Sequence, residues 1–130
     1  MILGIGTDIL EIERMQFLMQ RFGDKVLRRL FTQQERKMAE GLSYDQQVRF
    51  YAKRFSGKEA ASKALGTGIG GYLSWQDISI LNTPAGKPVL NFSEKVYQTL
   101  LAQYPCVHAH ISLSDDKQAL AFVVVEALIR

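Results

Sequence analysis

The chain has 130 residues, 47% of them hydrophobic and 22% charged, which allows one buried core and excludes the low-hydropathy composition of disordered chains. Its single cysteine excludes an internal disulfide and a thiolate metal cluster, and a reducing, cytoplasmic setting is the expectation that follows. A net charge of +3 and a pI near 9.1 favour an anionic partner without choosing among nucleic acid, phosphorylated cofactor and acidic protein.

Ile2, Leu3 and Ile5, with Gly4 and Gly6 among them, make an apolar run that predicts a strand ending near Asp8. No basic leader precedes that carboxylate, unlike a signal peptide. From Glu11 to about Leu30 apolar residues recur at mostly helical spacing, and Gly23-Asp24 marks a break, so one bent helix or two short ones are expected. Thr32 followed by Glu35 is a capping-box pattern, and Ser43 to Gln46 supplies a cap for a long helix reaching Leu65. Gly66 ends that helix in the left-handed conformation that costs glycine nothing.

Beyond the glycine-rich loop, Trp75 to Leu81 alternates in part, Pro84 to Lys87 reads as a turn, and Pro88 to Phe92 continues as a second strand. Ser93 caps a short helix. Val107 to Leu113 and Leu120 to Val125 are expected to form a hairpin around Asp115-Asp116. The apolar stretch from Ala119 to Val125 stops at Glu126, far short of the roughly 20 residues that span a bilayer, so no membrane partner is expected. Segregated helices and strands predict an α+β fold with a mainly antiparallel sheet and a long helix, as one domain over residues 1–130.

Four groups of residues could carry chemistry. Asp8 stands where a strand gives way to a helix, as a functional carboxylate or as the N-cap of that helix. Arg54 and Lys58 share one face of the long helix, either around a phosphate or on a solvated surface; Glu59 and Lys63 share a face as a surface ion pair would. Gly57 among them is costly in a helix unless something packs closely. Arg14, Arg21 and Arg28 recur every seven residues in a segment of charge +4. They suit an acidic partner if the helix is continuous, or a solvated face. His108 and His110 share a strand face but lack a third zinc ligand nearby, and no nucleic-acid reading motif stands out, so no nucleic-acid partner is expected.

Taken together, Gly4-Ile-Gly-Thr-Asp8-Ile-Leu-Glu-Ile-Glu-Arg14 and Arg54-Phe-Ser-Gly-Lys-Glu59-Ala-Ala-Ser-Lys63-Ala-Leu-Gly66 resemble the two signatures of the holo-(acyl-carrier-protein) synthases, a phosphopantetheinyl transferase family. The resemblance continues through Trp75-Gln-Asp-Ile, Asn82, Gly86-Lys-Pro88 and His108-Ala-His-Ile-Ser-Leu-Ser114, essentially the whole chain. It implies the 4′-phosphopantetheinyl transferase fold and transfer of 4′-phosphopantetheine from coenzyme A to a serine of apo acyl carrier protein, for fatty acid biosynthesis.

By the same resemblance Asp8 and Glu59 bind Mg2+, in place of the capping role for Asp8, and Lys63 faces the coenzyme A diphosphate. Arg54 and Lys58 go to other phosphates, with Ser62 and Gly66 in the same coenzyme A site. Glu59 takes the serine proton directly or through water, and Arg14, Arg21 and Arg28 dock the acidic carrier. Family members are similar in forming homotrimers with active sites between subunits. One position departs: many relatives carry histidine where this chain has Asp115, and a carboxylate there would repel phosphate. An inactive homologue kept as a scaffold is the competing reading, and intact Asp8, Glu59 and Lys63 speak against it.

Overall fold

The structure is a computed structural model and describes residues 1–128. In chain order the elements are β1 (Ile2–Glu11), α1 (Ile12–Phe22), α2 (Asp24–Leu30), α3 (Gln33–Ala39), α4 (Tyr44–Leu65), β2 (Ile78–Asn82), β3 (Pro88–Phe92), α5 (Glu94–Leu101), β4 (Cys106–Asp115) and β5 (Gln118–Leu128). The strands form two antiparallel sheets rather than one, with β1-β5-β4 in the larger and the β2-β3 hairpin separate. The expected α+β class stands.

Helix α4 is the centre of the molecule, and its ends follow local chemistry. Ser43 and Gln46 close a capping box at its start, and Gly66 ends it at φ 78°, the left-handed cap that glycine takes without strain. From Phe50 to Ala64 residues on every side of this helix are buried, as befits a helix wrapped by other elements. One side packs on the small inward residues of β5, Ala119, Ala121, Val123, Val125 and Ala127, all fully buried. Another meets α1, α2 and α3 around Met15, Phe31 and Tyr51. Each large apolar side chain enclosed in this way contributes about 1.5–3 kcal/mol.

Glycine sets the approach of β1 to α4. An added Cβ on Gly6 would lie 1.8 Å from the Ala60 carbonyl oxygen, and one on Gly4 would lie 1.8 Å from that of Ala64. Two strand residues rise about 6.6 Å and four helical residues about 6 Å, so one Gly-x-Gly step matches one helical step between alanines. Backbone thus packs directly on backbone. Gly57 serves a similar end, since its Cβ would meet Ile80 at 2.4 Å and Ile111 at 3.1 Å; close packing, one of its two expected explanations, accounts for it.

Several boundaries differ from the sequence expectation. Strand β1 continues past Asp8 to Glu11 because it pairs with β5 as far as Gln118. Glu11 is the N-cap of α1 and makes no side-chain cap; the first helical amide, Ile12 N, donates instead to Lys117 O in the hairpin turn at 3.1 Å. The helical segment breaks at Gly23 (φ 56°), leaving two helices. Trp75–Asp77 is a short 3₁₀ turn rather than strand, because the Asp77 carboxylate accepts from the Ser74 amide at 2.8 Å and caps it.

The outer face of the larger sheet carries an apolar patch where β1 and β5 pair. Ile5 and Ile9 of β1 are 58% and 56% exposed, and Leu120 and Phe122 of β5 are 47% and 42% exposed. No helix among the described residues is long and apolar enough to cross a membrane.

Candidate active site

Alternation along β1 puts Gly4, Gly6 and Asp8 on the side facing α4 and Ile5, Thr7 and Ile9 on the other. The close approach at the glycines therefore delivers the Asp8 carboxylate to the last turns of the long helix. Lys63 Nζ donates to Asp8 Oδ1 at 3.2 Å and to Thr7 O at 2.9 Å. Glu59 stands one helical turn before Lys63. Its carboxyl is raised above the ordinary carboxylate range, first by partial burial and then by the negative charge of Asp8, against the opposing pull of Lys63. Asp8, far away in sequence, thus shares one electrostatic environment with Glu59 and Lys63.

Two carboxylates that repel each other make a place for a cation. Their hard oxygens suit Mg2+, which takes one or two carboxylates and completes its shell with water and phosphate oxygens. Among the described residues no three His, Cys, Asp or Glu side chains converge on one point, so the donor set fits a metal shared with a phosphorylated substrate better than a closed structural site.

The other expected coenzyme A residues divide. Ser62 is buried, and its hydroxyl donates to Glu59 O at 2.7 Å. Its own carbonyl accepts from the amides of Thr67 and Gly68, so it shapes the turn at Gly66 beside Glu59. Arg54 and Lys58 are corrections. Arg54 is 3% exposed; its guanidinium donates to Ile80 O at 3.2 Å and to Asn82 Oδ1 at 3.1 Å and covers the Phe50 ring at 3.8 Å. Burial pushes its pKa down to about 10, against the raising effect of Glu35.

Lys58 is fully enclosed and pairs with the equally enclosed Glu35 at 2.6 Å. Burial lowers its pKa, against the pull of Glu35. Neither cation turns its charge outward to an external phosphate. Their i, i+4 spacing is correct, but the face they share is inside. Glu35 is the residue that sequence reasoning missed in this role. Besides the Thr32 capping box it accepts from Ile80 N at 2.9 Å, and the capping-box pattern gave no sign of a buried partner.

The basic segment is also rearranged. Because the helix breaks at Gly23, Arg28 does not continue the face of Arg14 and Arg21. It lines a cavity with Asp24, Arg36, Glu40 and Tyr51. The side next to α1 is instead a groove of about 510 Å³ walled by Leu18, Phe22, Phe55 and Trp75, with Lys25 and Arg29 at its rim. Asp115, the departure from the family pattern, is held by Arg49 at 2.8 Å and Lys53 at 3.2 Å. His110 lies 2.7 Å from Glu126 on an exposed strand face, and His108 is exposed beside it.

Comparison with known proteins agrees with this geometry. The family model of the 4′-phosphopantetheinyl transferase superfamily matches residues 4–123. A holo-(acyl-carrier-protein) synthase of Maricaulis maris is 43% identical over 131 residues, covering 98% of this chain and 91% of its own. Two crystal structures of enzymes with that name superpose over nearly the whole chain. The one from Bacillus anthracis, in complex with CoA (3′,5′-ADP), has a TM-score of 0.82 and 40% identity over 98% of this chain and 99% of its own. The one from Neisseria meningitidis has a TM-score of 0.87 and 37% identity over 97% and 99%. With both signatures folded against each other and relatives matched end to end, the chain belongs to the 4′-phosphopantetheinyl transferase superfamily.

Proposed function

We propose that the chain transfers 4′-phosphopantetheine from coenzyme A to a serine of apo acyl carrier protein, the holo-(acyl-carrier-protein) synthase reaction, in the cytoplasm and in the service of fatty acid biosynthesis. The observation that carries this reading is the meeting of Asp8, Glu59 and Lys63 where Gly6 lets β1 rest on α4. The coenzyme A complex of the Bacillus anthracis relative supports the same donor.

The serine hydroxyl attacks the β-phosphorus of the diphosphate in line, the bond to the bridging oxygen breaks, and 3′,5′-ADP leaves with that oxygen. Asp8 and Glu59 would hold Mg2+, which neutralises the charge developing on the phosphoryl oxygens. Lys63 places a positive charge beside Asp8, where it faces the diphosphate and favours the leaving group. Glu59 receives the serine proton through a bridging water, because a carboxylate oxygen that holds a cation has lowered basicity for direct proton abstraction. Ser62 and Gly66 fix the end of the helix that carries Glu59 and Lys63, and positioning of this kind supplies much of the catalysis in phosphoryl transfer.

The acidic carrier docks on the basic face beside α1. Arg14 and Arg21 come from α1, and Lys25 and Arg29 border an apolar groove, which gives charge complementarity around a site for a buried side chain. The bare face of Ile5, Ile9, Leu120 and Phe122 supports a homotrimer, since contiguous exposed apolar surface marks an interaction site.

The test is intact mass of apo acyl carrier protein after incubation with the protein, coenzyme A and Mg2+. A gain of about 340 Da, one phosphopantetheine, is expected with metal and is lost with a chelator. Glu59→Ala is expected to give no gain. Wild-type turnover by that variant would remove Glu59 from the mechanism, and absence of any gain with the unmodified chain would overturn the reading.

A further inference from the structure

Helix α2 has only seven residues, too few to hold helical shape by itself in water. Its C-terminal carbonyls are the groups that need partners, and they are bound with unusual completeness. The side-chain amide of Gln76 donates to Arg28 O at 3.0 Å, Arg29 O at 3.3 Å and Phe31 O at 3.0 Å. From below, Lys58 Nζ donates to the remaining one, Leu30 O, at 2.9 Å, and to Trp75 O at 3.0 Å. Four successive carbonyls are therefore fastened from α4 and from the 3₁₀ turn that carries Trp75.

That fastening joins the two sides of the groove. Lys25 and Arg29 at the rim belong to α2, Trp75 on the wall belongs to the 3₁₀ turn, and Gln76 bridges the two elements. Gln76 itself is exposed and does not line the groove. It takes no part in the cluster of Asp8, Glu59 and Lys63. The two N–H groups of the amide serve three carbonyl acceptors, one of them shared; a carboxylate there would face them with lone pairs alone.

We propose that Gln76 is a positioning residue for carrier-protein recognition, presetting the basic helix α2 against Trp75 so that an acidic carrier meets an ordered groove. The inference rests on the reading that such a carrier docks on this face. An unfastened α2 would have to be ordered during binding, and that ordering is subtracted from affinity. Its signature is a change in carrier affinity without a change in coenzyme A affinity or in the chemical step.

Steady-state kinetics with apo acyl carrier protein varied at saturating coenzyme A and Mg2+, and then the reverse, separates these effects. Gln76→Leu is expected to raise the carrier KM about tenfold, the loss of hydrogen bonds to several carbonyls, with kcat and the coenzyme A KM unchanged. Gln76→Glu should behave like Gln76→Leu, and Gln76→Arg, which keeps N–H donors, should restore most of the affinity. Lys58 is unsuited to the test because its removal strands buried Glu35. An unchanged carrier KM in Gln76→Leu, or an equal rise in both KM values, overturns the role of Gln76. Arg21→Glu tells the two levels apart. If it raises the carrier KM while Gln76→Leu does not, docking on this face stands and the positioning role falls. If Arg21→Glu also leaves the carrier KM unmoved, the docking reading falls and the inference with it.

Discussion

Asp115 accepts from Arg49 and Lys53 of α4 and so ties the turn end of β4 to the long helix. Partial burial pushes its carboxyl up, but the hydrogen bonds from Arg49 and Lys53 outweigh this and leave it below the ordinary value of 3.8. A depressed folded-state pKa means that the stabilisation is present above the unfolded value and is lost as pH falls through the folded one. Asp115→Asn is accordingly expected to lower the melting temperature at pH 7, with the difference from wild type shrinking as pH drops below about 3.8. A gap independent of pH would show that packing, not charge, is what Asp115 supplies. Lys58 and Glu35 follow a different rule, because both are fully enclosed: removing one partner of such a pair costs about 3–5 kcal/mol by stranding the other.

Between elements, the contact of β1 with α4 decides whether the site exists. The Cβ introduced by Gly6→Ala would fall 1.8 Å from the Ala60 carbonyl, and backbone cannot swing aside as a flexible side chain can. Strand and helix must separate, at a cost of about 1–3 kcal/mol or more, and Asp8 moves with the strand. Gly6→Ala is expected to lower melting temperature and to weaken Mg2+ dependence together. Chemical denaturation paired with Mg2+ titration of activity checks both. The capping boxes at Thr32 and Ser43 and the glycine cap at Gly66 were legible because each is a short-range pattern of a few residues. The direction in which Arg54 and Lys58 point was not, because helical spacing tells which residues share a face and not what that face meets.

Across the whole molecule, the larger sheet buries one side against α4 and leaves an apolar patch of β1 and β5 open on the other. A second copy of the chain is the occupant proposed for that face. Phe122→Asp is expected to convert a trimer into smaller species in sedimentation experiments, since a carboxylate buried at such an interface lacks a partner. A wild-type chain that sediments as a monomer at micromolar concentration would overturn the trimer.

By itself the sequence determined the α+β class, the span of α4 and the closing hairpin, because these follow from periodicity and caps, and its two contiguous signatures carried the family. Tertiary structure decided which of the candidate cations remain outside. Lys63 reaches Asp8 at the surface, whereas Arg54 and Lys58 are consumed by Ile80, Asn82 and Glu35. It also exchanged Arg28 for Lys25 and Arg29 at the groove through the break at Gly23. The physical reason is the same in each case: local energies fix an element and its faces, but only packing between distant segments settles which face is desolvated and which charges must find partners within.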